Sequence, residues 1–266
     1  MKYFVCVKQV PDVSQFQVDP TTGSIIREGV PSIMNPLDKN AIETALQLKD
    51  AIGKGEITAI TMGPPQSKEV LREALAMGVD NAVCLTDKKF AGADTLATSY
   101  TLAMGIKYLL DDEKVYLVIC GGQALDGETA QVGPQLAEEL AIPQITRVLK
   151  CGIAGKKIIA EKDLNEDEIM VLESPLPSLI SVLKEINTPR LPTMNSIALA
   201  YEKEIHSLDA NTLGADDKKI GIQGSQTRVL KVFEYKPKGD RVILEGSVDD
   251  VVSRLFNHLK EDKVIP

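Results

Sequence analysis

Apolar positions recur with two different periods along this chain, and the alternation between them predicts its architecture. Short β-branched runs at residues 2–7, 56–62, 81–86 and 115–119 lack a polar alternation, which is the signature of strands covered on both faces. Between them the period becomes helical. Ala41, Ile42, Ala45 and Leu46 follow Asn35-Pro36-Leu37-Asp38, where Asn35 suits an N-cap and Pro36 a first helical position. Val70, Leu71, Ala74 and Leu75 mark a helix over 67–77 closing at Gly78, and a longer helix over 94–110 is capped by Asp94 or Thr95. In the fourth unit Gly121 and Gly122 end the strand, and Val132, Leu136, Ala137 and Leu140 give a helix over 129–140. Repeated strand-helix units predict a parallel sheet with helices on both faces.

The texture changes after Pro143. Short strands at 146–151, 156–163 and 169–173, divided by Gly152-Ile153-Ala154-Gly155 and Asn165-Glu166-Asp167-Glu168, read as an antiparallel meander extending one sheet edge. A further strand at 179–183, a proline-stiffened loop over 186–192 and a helix over 193–204 capped by Thr193 or Asn195 follow. Nearer the start, 8–12 reads as a loop, and 16–18 and 24–27 as a hairpin around Asp19-Pro20-Thr21-Thr22-Gly23. From 206 to 226 the apolar positions thin out, so an α/β domain over 1–205 is expected, with an extended arm and C-terminal helix over 206–266. The arm holds a strand-like run at 229–234 and an amphipathic helix at 248–259.

Composition narrows the chemistry. A net charge of -8 in 266 residues argues against nucleic acid, whose phosphates it repels. No window reaches the roughly 18 apolar residues of a membrane span, and no signal-peptide pattern opens the chain, so a cytoplasmic location is expected. Cys6, Cys84, Cys120 and Cys151 are scattered without a CxxC pair and read as reduced core residues. Two histidines, His206 and His258, leave no material for His metal sites or Ser-His-Asp catalysis. No metal site and no catalytic side chain is expected.

Neither GxxxxGK[ST] nor GxGxxG occurs. The best ligand site is therefore the set of loops at the carboxyl ends of adjacent strands: after Cys6, at Met62, and over 121–131. A helix opening near Thr129 presents unpaired amides to an anion, with Asp126, Thr129 and Gln131 as polar neighbours. The same residues equally fit a self-capping loop, with Asp126 or Thr129 as N-cap. Lys8 faces either a phosphate or the strand end.

Several strings then match one family in order and spacing: Cys6-Val7-Lys8-Gln9-Val10-Pro11-Asp12, Met34-Asn35-Pro36, Leu71-Arg72-Glu73-Ala74-Leu75-Ala76-Met77-Gly78, Gly121-Gly122-Gln123-Ala124-Leu125-Asp126-Gly127, Leu176-Pro177-Ser178-Leu179-Ile180-Ser181-Val182 and Ile186-Asn187-Thr188-Pro189-Arg190. Over nearly its whole length the chain resembles the β subunit of electron transfer flavoprotein. The resemblance implies a fold related to the adenine-nucleotide α-hydrolases and a heterodimer with an α subunit that carries FAD. It implies a nucleotide against Cys6, Asn35, Pro36, Leu37, Asp38, Met62, Gly121, Gly122, Gln123, Ala124, Leu125, Asp126, Gly127, Glu128, Thr129, Ala130, Gln131 and Val132.

In ordinary members that nucleotide is a structural AMP; in bifurcating members it is a second FAD that takes hydride from NADH. Small residues at Gly127, Ala130 and Val132, where AMP-holding relatives resemble a bulkier run, favour FAD because a pyrophosphate can approach the backbone. The expected function is thus NADH-dependent electron bifurcation to a flavin dehydrogenase, such as an acyl-CoA or 2-hydroxy acid dehydrogenase, and to ferredoxin or flavodoxin. The alternatives are a non-bifurcating subunit with AMP and, more remotely, a nucleotide-binding sensor domain. The loop over 189–198 corresponds to the family's recognition loop, with Leu191, Met194 and Ile197 facing the dehydrogenase. The arm over 206–266 is expected to dock on the α subunit.

Overall fold

Side chains of the first strand, β1 (Lys2–Cys6), alternate between two separate apolar layers: Tyr3 and Val5 enter one, Phe4 and Cys6 the other. A strand buried on both faces needs helices above and below it. In the computed structural model, residues 1–12, 17–18, 25–26, 31–110, 114–165, 168–228 and 242–265 are described. After β1 come β2 (Gln9–Pro11), β3 (Gln17–Val18), β4 (Ile25–Ile26) and β5 (Ser32–Met34), then α1 (Pro36–Ile52), β6 (Glu56–Met62), α2 (Lys68–Met77), β7 (Asn81–Leu85), α3 (Thr95–Leu110), β8 (Tyr116–Gly121) and α4 (Val132–Leu140). The second half adds β9 (Gln144–Ala154), β10 (Lys157–Asn165), β11 (Glu168–Pro175), β12 (Ser178–Val182), α5 (Met194–Glu202), β13 (His206–Leu208), the single turn α6 (Gly221–Gly224) and α7 (Val248–Glu261).

The main sheet has nine strands in the order β11-β10-β9-β12-β8-β1-β6-β7-β13. From β9 to β13 every pairing is parallel, and β9, β10 and β11 form the antiparallel extension at one edge. The meander strands are longer than their apolar runs, because cross-strand pairing carries β9 and β10 into the polar residues on either side of the Gly155 turn. Helices α1 and α2 cover one face with Ala41, Ile42, Ala45, Val70, Leu71 and Ala74; α3 and α4 cover the other with Leu102, Ala103, Ile106, Leu136 and Ala137. Connections therefore change face between β1 and β8, which makes the gap at their carboxyl ends the topological switch point where open α/β sheets bind ligands.

Two expectations are corrected. Residues 9–11 are not loop but β2, paired antiparallel with β5. The hairpin pairing is present as Gln17–Val18 against Ile25–Ile26, its turn lying outside the described residues. The segment 206–226 is not an arm: one compact unit spans Met1–Arg228. Its β13 pairs with β7, its Leu208, Ala210, Leu213 and Ile220 are buried, and Asp94 Oδ2 accepts from the Gln226 and Thr227 amides. A few well-placed apolar residues suffice there because polar groups supply the rest of the attachment.

The second unit is Val229–Pro266; the strand-like run expected at 229–234 lies outside the described residues. Within it α7 is capped by Ser247, whose hydroxyl accepts from the Asp250 amide, and exposes Val248, Val252, Leu255 and Phe256. No helix among the described residues is long and apolar enough to cross a membrane.

Candidate functional site

At the switch point the first turn of α1 presses against the end of β8. A Cβ built on Gly121 would lie 2.3 Å from Asp38 Oδ1 and 2.9 Å from the Leu37 carbonyl carbon, so glycine is required for this approach. Asp38 is fully enclosed there. Its carboxylate accepts from the Lys8 amide (2.7 Å) and from Asn35 Nδ2 (2.9 Å). Burial pushes its pKa up to about 7, against the lowering effect of Asn35, the Lys8 and Gly121 amides and the Lys8 charge.

Asn35 was expected to cap α1 with its side chain, and it does not. Its amide reaches across instead, Nδ2 donating to the Gln123 carbonyl (2.9 Å) and Oδ1 accepting from the Leu125 amide (3.0 Å). One side chain thus substitutes for a strand neighbour and pins the loop after β8 to the start of α1.

That loop departs from the expected helix. Helix α4 starts at Val132 and not at Thr129, because Glu128 (φ 49°) and Ala130 (φ 54°) take left-handed conformations that no helix tolerates. Neither Asp126 nor Thr129 caps α4: Gln131 holds the N-cap position without a side-chain cap, and its Oε1 accepts from Thr95 Oγ1 (3.1 Å). Asp126 pairs with Lys8. Helix α3 differs, since Asp94 Oδ1 accepts from both the Leu96 and Ala97 amides (3.0 Å each). The opening amides of α4, at Val132 and Gly133, have no intrahelical acceptor and border the cavity, the arrangement that attracts an anion.

The cavity these elements enclose measures about 360 Å³. Cys6, Asn35, Asp38, Met62, Gly121, Gly122, Gln123, Ala124, Gly127, Glu128, Thr129, Ala130, Gln131 and Val132, all named from the sequence, line it. Pro36, Leu37, Leu125 and Asp126 do not, and serve behind or beside the lining. A wall formed by Ala93, Asp94, Thr95, Thr98 and Leu102 was missed. The signal was present, since Asp94 and Thr95 follow β7 and the loop after β7 opens on the same edge of the sheet. Lys8 is the sole lysine or arginine among the described lining residues. Cys6 and Cys120 face each other in register on β1 and β8, and contact with Cys6 together with burial holds the Cys120 thiol well above its ordinary pKa. The Cys120 sulfur is therefore uncharged.

A second surface lies on α5 and the loop before it. Thr193 Oγ1 accepts from the Ser196 amide (3.1 Å) while Ser196 Oγ accepts from the Thr193 amide (2.9 Å), a reciprocal capping box that fixes how the helix begins. Leu191 is 89% exposed and Met194 86%, with Ile197 also exposed, so three large apolar side chains are uncovered within seven residues.

The fold and the cleft define an open, mostly parallel α/β protein with a cavity at its switch point. Comparison with known proteins then identifies the particular group. The electron transfer flavoprotein domain profile matches residues 22–213. Electron transfer flavoprotein subunit beta of Megasphaera elsdenii is 45% identical over 271 residues, covering all of both chains. The caffeyl-CoA reductase-Etf complex subunit CarD of Acetobacterium woodii is 45% identical over 266 residues, again covering both completely. Protein FixA of Azotobacter vinelandii is 41% identical over 253 residues, spanning 94% of this chain and 89% of its own. The chain belongs to the electron transfer flavoprotein β-subunit family.

Proposed function

We propose that this β subunit pairs with an electron transfer flavoprotein α subunit and holds FAD in the cleft between β1 and β8, taking hydride from NADH. One electron then passes through the α-subunit FAD to a flavin dehydrogenase and the other to a low-potential carrier such as ferredoxin. The observation that carries the reading is the uncapped start of α4, whose first amides border the cleft that Lys8 also lines. It fits the phosphate of an adenine nucleotide, and the stretch Gly127 to Ala130, left-handed at Glu128 and Ala130 and open around Gly127, leaves backbone accessible to a second phosphate. When bound, the flavin supplies the hydride and single-electron chemistry.

The chain's own groups bind and orient. The Asn35 amide fixes the 123–125 loop, and Asp38 fixes Lys8 and Gly121. The exposed Leu191, Met194 and Ile197 surface serves the dehydrogenase. The similarity to a subunit of a named reductase-Etf complex supports a dedicated dehydrogenase partner.

A second reading, AMP in place of FAD, is favoured by volume. A cavity of about 360 Å³ lies near the lower end of ligand-pocket sizes, about 300–1,000 Å³, and matches a nucleoside monophosphate. On the FAD reading the remainder of the dinucleotide extends out of the cleft mouth. Counting flavin and AMP released from the purified heterodimer separates the two: two flavins and no AMP are expected, and one flavin with one AMP establishes the second reading.

A further inference from the structure

Beyond Asp38, helix α1 carries three polar side chains that are almost wholly buried, Asn40, Glu43 and Thr44. Burying such groups is costly without partners. Their cross-chain partners all come from the segment leading into the exposed apolar surface. Asn40 Nδ2 donates to the Asn187 carbonyl (2.9 Å) and the Lys184 carbonyl (3.2 Å). Asn187 Nδ2 donates back to the Asn40 carbonyl (3.1 Å) and Thr44 Oγ1 (2.9 Å). Arg190 closes the set. Its Nε and backbone amide donate to Glu43 Oε2 (2.8 and 3.1 Å) and its Nη2 to Glu43 Oε1 (3.1 Å), a fork-to-fork pair that a point charge cannot reproduce.

The far end of the surface is held by a second arginine. Arg72 of α2 donates to the carbonyls of Ala200 and Lys203 at the end of α5, and its guanidinium lies 5.3 Å from the Tyr201 ring centroid. Leu191, Met194 and Ile197 thus sit between two arginine anchors, each reaching the sheet-covering helices. Their side chains are exposed while the backbone that presents them is tied down at both ends. A segment ordered before binding loses less freedom when a partner closes over it.

We infer that Arg190, acting on Glu43, and Arg72 are positioning residues that preset the 191–197 segment for a partner protein bearing an apolar pocket. This inference rests on the docking role proposed above. It adds that the affinity depends on anchors outside the apolar surface itself.

The test uses the purified heterodimer with an acyl-CoA dehydrogenase from the same organism as the titrated acceptor. R190K keeps a cation beside Glu43 and removes the fork; R72Q releases the far anchor; M194E spoils the surface itself. R190K and R72Q are each expected to raise the KM for the dehydrogenase roughly tenfold, with kcat and bound nucleotide unchanged. M194E is expected to raise it at least as far, and combining R190K with M194E to add less than the product of the two. A KM unmoved by M194E removes the docking reading and this inference with it. A KM raised by M194E but unmoved by R190K and R72Q overturns the inference alone. Should R190K fold poorly, R72Q and the E43Q variant, which keeps the shape of the buried side chain, decide the matter by the same split between KM and kcat.

Discussion

Lys8 Nζ lies 2.8 Å from both carboxylate oxygens of Asp126, joining the loop after β1 to the loop after β8 at the cleft. The pair is half exposed on the lysine side, so it contributes at most about 1 kcal/mol and yields to a stronger anion. A nucleotide phosphate is such an anion. Lys8→Ala is expected to weaken AMP binding to nucleotide-free protein roughly tenfold at low salt while leaving the denaturation midpoint in place. Asp126→Asn, which frees Lys8, is expected to bind AMP at least as well as the natural chain. Titration calorimetry reads both, and equal affinities for the natural chain and Lys8→Ala remove Lys8 from the site.

Gly121 and Gly127 lie six positions apart with opposite requirements. A methyl group at Gly121 meets the Asp38 carboxylate and α1 backbone, whereas one at Gly127 meets nothing within 4 Å. Gly121→Ala is expected to destabilise by about 1–3 kcal/mol in urea denaturation. Gly127→Ala is expected to stay within about 0.5 kcal/mol of the natural protein. In the flavin reading Gly127→Ala also lowers FAD affinity more than AMP affinity, because only the dinucleotide brings a second phosphate to that backbone.

Asp38 gives the fold a pH dependence of defined sign. Its pKa rises from 3.8 in the unfolded chain to about 7 in the fold, so the folded state retains a proton that the unfolded state has lost. The stabilisation from the protonated form is complete below about pH 4 and is lost as pH rises through about 7. Asp38→Asn removes this contribution. The stability difference between the natural chain and the variant, followed by urea midpoints, is expected to shift against the natural chain between those limits and stay flat above them. A difference that is constant from pH 4 to 8 contradicts the assignment.

Thr193→Ala removes half of the capping box at the start of α5, a loss of about 1 kcal/mol. The cost falls on the surface-bearing helix alone. Amide exchange is expected to speed up over 194–199 while that of β1, β6 and β8 is unchanged.

The central strands were legible because burial on both faces leaves few polar positions in them, and Leu117, Val118 and Ile119 show this directly. The lining from Gly121 to Val132 was legible through the strand-to-helix change of period. What escaped was set by conformation or by topology. The late start of α4 depends on left-handed backbone at Glu128 and Ala130, neither of them a glycine, so composition gave no warning. The wall at Ala93 to Thr98 is remote in sequence from the other loops and joins them only because β7 lies in the same parallel sheet. The attachment of 206–228 depends on hydrogen bonds to Asp94, which hydrophobic spacing does not register.

Strand β12 lies between β8 and β9 and pairs with both, although β9, β10 and β11 precede it in the chain. During synthesis, then, β8 stands with a bare edge until residues 178–182 have left the ribosome. The Gly122 amide, which donates to the Val182 carbonyl (2.9 Å), waits equally long for its partner. The cleft wall is thus among the last parts of the main sheet to be completed, by insertion of a strand made well after the glycines it secures. Chains interrupted before that point display an open parallel edge, the feature that invites chaperone capture or aggregation.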